Sequence, residues 1–189
     1  MTWRHVNLLV VNLITLGRLL AVPVAVWLIL SDRMAFAFWL FVAAGVSDAL
    51  DGFIARQFDA RTTLGGYLDT IADKSLLVSV YITLGVQGYI AAWLVILVVF
   101  RDALIVFGVV LSHLLSHPVR IEPLFISKVN TVAQFVLAAA VMARAGLNID
   151  PPGLAVALVL LVAITTLGSG AAYLVRWGRV AAETEGEPR

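Results

Sequence analysis

Apolar residues fall into six long stretches, at roughly residues 7–30, 34–56, 65–85, 89–115, 124–146 and 153–176. Short polar, glycine- or proline-bearing segments such as Ser31-Asp32-Arg33 and Asn148 to Gly153 separate them. Each stretch is near the roughly 20 apolar residues that a helix needs to cross a hydrocarbon core. The pattern predicts an all-α integral membrane protein of six transmembrane helices, one domain over residues 1–182 with a short polar tail at 183–189. Residues 7–30 are too long, and too closely followed by further spans, to read as a cleaved signal peptide. An even number of spans puts both termini on one side. Arg4, Arg56, Arg61, Arg120, Lys128, Arg176, Arg179 and Arg189 lie at or near that side, against Arg33 and Arg144 opposite, so the positive-inside rule makes it cytosolic.

Composition sharpens this picture. The 189 residues are 61% hydrophobic and 13% charged, with a mean hydropathy of +0.99, well below the usual charged quarter of a soluble domain. The absence of cysteine excludes disulfides and thiolate metal sites, and three scattered histidines leave little nitrogen for zinc, so any metal must bind oxygen. A net charge of +1 gives no basis for binding nucleic acid.

Against that background the stretch SDALDGFIARQFDARTTLGGYLDTIADK, residues 47–74, is anomalous. At about 1.5 Å rise per residue, Asp48 and Asp51 lie about 5 to 10 Å below the cytosolic face, and Asp69 and Asp73 on the antiparallel next helix about 7 to 13 Å. The four carboxylates share a layer. Positions 48, 51, 52, 55 and 56 fall on one helical face, and 65, 69 and 73 on another. Each acid near mid-bilayer costs on the order of 3 kcal/mol and repels the others, so a positive partner is needed. Oxygen-only ligands suit Mg²⁺ or Mn²⁺, and four carboxylates suffice to clamp two such ions for phosphate chemistry. A proton or cation pathway and salt-bridged structural acids are the alternatives. Gly52, Ala55 and Gly65 leave room beside the acids for a bulky ligand, and Arg56 offers a planar fork for phosphate. Close helix packing explains one or two of these small residues but not Arg56.

Asp48, Asp51, Gly52, Ala55 and Arg56, then eight residues, then Gly65, Asp69 and Asp73 together resemble the signature of the CDP-alcohol phosphatidyltransferase family, without departure. The resemblance implies a six-helix, homodimeric membrane enzyme in which an alcohol attacks the β-phosphate of a CDP-activated lipid and displaces CMP. It implies that Asp48, Asp51, Asp69 and Asp73 bind two divalent cations, Mg²⁺ or Mn²⁺, and that Asp73 is also the general base. It further implies that Gly52, Ala55, Arg56 and Gly65 surround the cytidine diphosphate. Direct transfer of this kind needs no nucleophilic side chain, in keeping with a chain lacking cysteine and a convincing Ser–His pairing.

Other polar residues bear on the acceptor. Asn12, Thr15 and Arg18 in NLITLGRLLAVP reach the aspartate layer, about 7 to 16 Å deep. Their spacing, with Pro23, is similar to the start of phosphatidylglycerophosphate and cardiolipin synthases within the family; Asn12 and Thr15 are candidates for the CDP moiety, or else polar packing groups. Arg101 and Lys128 lie at about 14 and 6 Å. Adjacent residues on a helix do not face one another, so Arg101 is expected not to pair with Asp102 and, with Arg18 and Lys128, to be available for an acceptor phosphate; a structural ion pair to another helix is the alternative. EPLFISKVNTVAQ, at residues 122–134, and FRDALIVF resemble the eukaryotic-type cardiolipin synthases, which join CDP-diacylglycerol to phosphatidylglycerol. Phosphatidylglycerophosphate synthases, which use glycerol 3-phosphate, are similar but tend to carry Arg-Glu where this chain has Arg101 and Asp102. The sixth stretch contributes no motif, and Gly168, Gly170 and Ala172 in it read as close-packing positions.

The expected setting is a bacterial plasma membrane with the site facing the cytosol. A divalent-cation transporter is the rival from another class, but it needs a polar path to the outer side, and the outer halves of the spans carry almost no polar residues. An intramembrane aspartyl protease needs two acids sharing a proton, not four beside an arginine.

Overall fold

The computed structural model describes residues 3–57, 63–114 and 125–185, with side chains at 16–47, 74–107 and 125–175. Among the described residues there are six helices and no strand: α1 Trp3–Leu30, α2 Met34–Gln57, α3 Thr63–Val86, α4 Ala92–Leu114, α5 Phe125–Leu147 and α6 Leu154–Glu185. The apolar stretches predict these bounds within a few residues, except that α1 starts at Trp3 and α6 runs on to Glu185. Among the described residues, Phe125–Leu147 and Leu154–Val175 are long and apolar enough to cross a membrane. Shorter apolar segments are Leu16–Leu30, Met34–Ser47 and Lys74–Val86.

The turns follow from local backbone chemistry. Asp32 has a φ of 55° after α1, Arg33 N–H donates to Leu28 O at 2.9 Å and Asp32 N–H to Ile29 O at 3.1 Å. These two bonds form the Schellman closure, which satisfies carbonyls that the helix end would leave open. Gly88, with a φ of 77°, repeats it after α3: Tyr89 N–H donates to Leu84 O at 2.9 Å and Gly88 N–H to Gly85 O at 3.0 Å.

The chain forms two compact units, residues 1–90 with 138–152, and residues 91–137 with 153–189. In the first, α1 packs against α2 and α3. The buried stripe Ala21, Ala25, Leu28 and Ile29 on α1 follows helical spacing, as do Leu77, Val80, Tyr81 and Leu84 on α3. The last turn of α5 joins this unit at a close backbone approach: a Cβ on Gly146 would lie 2.2 Å from the Ala35 nitrogen. In the second unit α4 packs against α6. Its interior is unusual in being polar: Arg101, Asp102, Asn130, Gln134, Thr165, Thr166 and Ser169 are all buried, while Leu160, Leu161, Ile164, Leu167 and Leu174 on α6 are exposed.

Candidate functional site

The backbone carries the acidic pattern on consecutive helices. Asp48, Asp51, Gly52, Ala55 and Arg56 lie in the C-terminal half of α2, and Gly65, Asp69 and Asp73 in the N-terminal half of α3. Their helical spacing therefore holds at the level of secondary structure. Their side chains lie outside the described ones, as do those of Asn12 and Thr15 on α1. Among the described residues no group of three or more His, Cys, Asp or Glu side chains comes together. The donor set that the pattern supplies is carboxylate oxygen, which suits a hard divalent cation.

The remaining candidates have different surroundings. Arg18 is buried on α1, at 4% exposure, and Lys128 is exposed on the first turn of α5. Arg101, in the middle of α4, is buried among polar partners. Its Nη1 donates to Asp102 Oδ1 at 2.6 Å, its Nε to Ser169 Oγ at 3.0 Å, and its Nη2 to Ser127 Oγ at 2.6 Å and also to Ser169 Oγ. The expectation that Arg101 and Asp102 cannot pair is thus corrected. Neighbouring Cβ atoms on a helix diverge by about 100°, but the arginine stem is long enough to fold its guanidinium back to the next carboxylate. Burial rewards this, because a bare charge in a low-dielectric interior costs several kcal/mol. Ser127 and Ser169 escaped the sequence reading: an isolated serine in an apolar helix carries no spacing signal.

A second buried cluster lies between α5 and α6. Thr166 Oγ1 donates to Asn130 Oδ1 at 2.9 Å, and Thr165 Oγ1 lies 2.8 Å from the same oxygen and 2.7 Å from Leu161 O, so its one proton serves either acceptor. Asn130 is fully buried. Asn130→Ala should therefore cost on the order of 1 to 3 kcal/mol by stranding Thr166, read as a lower midpoint in thermal unfolding of the detergent-solubilised protein. An unchanged midpoint would show that the threonines do not depend on Asn130. Nearby, an apolar groove of about 370 Å³ is lined by Phe125, Lys128, Val132, Val136, Leu158 and Leu161 among others, with Lys128 the one charged residue among the described ones that line it.

Residues 8–171 match the CDP-alcohol phosphatidyltransferase family. The chain is 34% identical over 187 residues to the chloroplastic CDP-diacylglycerol–glycerol-3-phosphate 3-phosphatidyltransferase 1 of Oryza sativa subsp. japonica, covering 89% of this chain and 57% of that protein. It is 32% identical over 179 residues to a cardiolipin synthase (CMP-forming)/mitochondrial hydrolase fusion protein of Schizosaccharomyces pombe, covering 87% of this chain and 30% of the fusion. It is 34% identical over 153 residues to the cardiolipin synthase (CMP-forming) of Rattus norvegicus, covering 72% and 51%. The chain thus spans about half the length of the rice and rat proteins and less of the fusion. With the family match running from α1 into α6 and the whole acidic signature inside it, this chain belongs to the CDP-alcohol phosphatidyltransferase family.

Proposed function

We propose that this protein is an integral membrane transferase that moves the phosphatidyl group of CDP-diacylglycerol to the hydroxyl of phosphatidylglycerol, giving cardiolipin and CMP. The observation that carries this reading is the eight-position pattern from Asp48 to Asp73, set on α2 and α3 within the family match. In the reaction the acceptor oxygen bonds to the β-phosphorus of CDP-diacylglycerol, and the bond from that phosphorus to the CMP oxygen breaks with its electron pair leaving on CMP. Asp73 takes the acceptor hydroxyl proton, and Arg56 pairs with the diphosphate while Gly52, Ala55 and Gly65 let the nucleotide lie close to the backbone. Asn12 and Thr15 hydrogen-bond the CDP moiety. The family is generally dependent on divalent cations. Two of them, Mg²⁺ or Mn²⁺ held by Asp48, Asp51, Asp69 and Asp73, would neutralise the diphosphate and the charge developing on CMP.

Six spans in a membrane fit a protein whose buried interior holds Arg101, Asp102 and Asn130 while Trp27, Trp93, Phe100 and Ile164 face outward, since lipid rewards that inversion. The arrangement of basic residues supports a site facing the cytosol; the membrane we propose is a bacterial plasma membrane. The enzyme works as a homodimer, as the family resemblance implies.

Arg18, Arg101 and Lys128 serve the acceptor phosphate. The groove beside Lys128 supports a lipid acceptor: a charged head beside an apolar trough suits phosphatidylglycerol, whereas glycerol 3-phosphate has no chain to place there. Glycerol 3-phosphate is the second reading, favoured by the rice relative's name and its coverage of this chain. Purified enzyme given labelled CDP-diacylglycerol should form product with phosphatidylglycerol and not with glycerol 3-phosphate or inositol phosphate. Product with glycerol 3-phosphate alone would reject cardiolipin synthesis and keep the reaction type.

A further inference from the structure

The Arg101 network draws one partner from its own helix and two from others. Asp102 is the next residue on α4, Ser127 lies in the first turn of α5, and Ser169 is fully buried on α6. A guanidinium is planar and its N–H bonds radiate in that plane, so contacts at Nε, Nη1 and Nη2 together fix both its tilt and its rotation. The partners divide the work. Asp102 supplies the compensating charge at 2.6 Å, while the serine hydroxyls are neutral and orient the group without cancelling its field. Ser169 matters most geometrically, since it touches both Nε and Nη2 on one edge of the fork. The contacts occupy Nε–H, both N–H bonds of Nη2 and one of Nη1, which leaves the second N–H of Nη1 without a contact among the described residues.

We infer that Ser169 is a positioning residue for Arg101: it holds the guanidinium in the orientation from which the remaining Nη1 N–H meets the acceptor's phosphate, with Ser127 as a second guide. This rests on the reading of Arg101 as an acceptor contact. α6 carries none of the sequence motifs, so Ser169 extends the acceptor site beyond the helices that do.

The test uses the full chain in detergent micelles, with phosphatidylglycerol titrated at fixed CDP-diacylglycerol and the reverse. Ser169→Ala should raise KM for the acceptor about tenfold, the equivalent of one hydrogen bond to a charged group, and leave kcat and KM for CDP-diacylglycerol within about twofold. Ser127→Ala should show the same split to a smaller degree and Ser127→Thr, which keeps the hydroxyl, should not; this pair carries the test if Ser169→Ala does not fold. Arg101→Lys should raise the acceptor KM at least as much, and adding Ser169→Ala to it should change nothing further. An unchanged acceptor KM in Ser169→Ala, beside a raised one in Arg101→Lys, overturns the positioning role alone. An unchanged acceptor KM in Arg101→Lys overturns the acceptor reading of Arg101 and the inference with it. Independent, additive losses in the double variant, or equal losses for both substrates, overturn the inference by assigning Ser169 to folding only.

Discussion

Asp73→Asn should abolish CMP release, by at least about 10³-fold, while the protein still folds. A positioned general base is worth roughly 10² to 10⁴ in rate, and losing a carboxylate from the cation clamp adds to that deficit. The amide is nearly isosteric and stays within α3, which runs from Thr63 to Val86, so the helix itself has no reason to change. The stability effect should even be favourable without metal, because removing one of four mutually repelling acids relieves a cost on the order of 3 kcal/mol. Asp69→Asn should behave alike, having lost cation binding without loss of the base. The check is CMP release from CDP-diacylglycerol, run beside thermal unfolding with and without Mn²⁺. Loss of turnover with a midpoint that no longer rises on adding Mn²⁺ is the expected pair of results. Normal turnover in both variants removes the proposed chemistry.

Gly146→Ala should damage the fold more than alanine at any other glycine whose surroundings are described. The added Cβ would lie 2.2 Å from Ala35 N, 2.6 Å from Met34 C and 2.7 Å from Ala35 Cα, all backbone atoms at the start of α2. Backbone cannot turn aside as a rotamer can, so α5 and α2 must separate, at a cost of about 3 kcal/mol or more. The glycines of α6 offer an internal control. At Gly168 the new atom would meet only the tip of Ile126, 2.9 Å away, and at Gly170 only Arg101 Cγ at an ordinary 3.9 Å. Gly168→Ala and Gly170→Ala should therefore cost less than about 1 kcal/mol, and a helical alanine recovers part of that. Folded yield and unfolding midpoint in detergent measure all three. Equal losses at the three positions would contradict this account of the packing.

Much of the architecture was legible because lipid-length apolar runs and their punctuation are strong signals. Ser31 to Arg33, Gln87 to Ala91 and Asn148 to Gly153 break the runs where the helices end. The acidic pattern was legible for a related reason, since four aspartates in an apolar chain need a purpose and their spacing selects a face. What escaped depends on side-chain reach and on contacts distant in sequence. Arg101 pairs with its neighbour because a long flexible stem defeats the rule that adjacent helical residues diverge. Ser169 gained its role only once α6 packed against α4. Gly146 has no signal in its own neighbourhood, because the partner that makes it necessary lies more than a hundred residues earlier. Conversely, Gly168 and Gly170 were expected to be close-packing sites, yet only Gly168 has a neighbour inside normal contact distance. The end of α6 also escaped, because the polar run from Arg176 to Glu185 continues as helix after the apolar signal stops.

The most direct test is to count Mn²⁺ by electron paramagnetic resonance on the purified chain in micelles, with a non-reacting cytidine liponucleotide bound. Two ions per chain, falling on Asp48→Asn or Asp69→Asn, is the predicted result. No bound Mn²⁺, together with CMP release that persists undiminished in excess chelator, would contradict it.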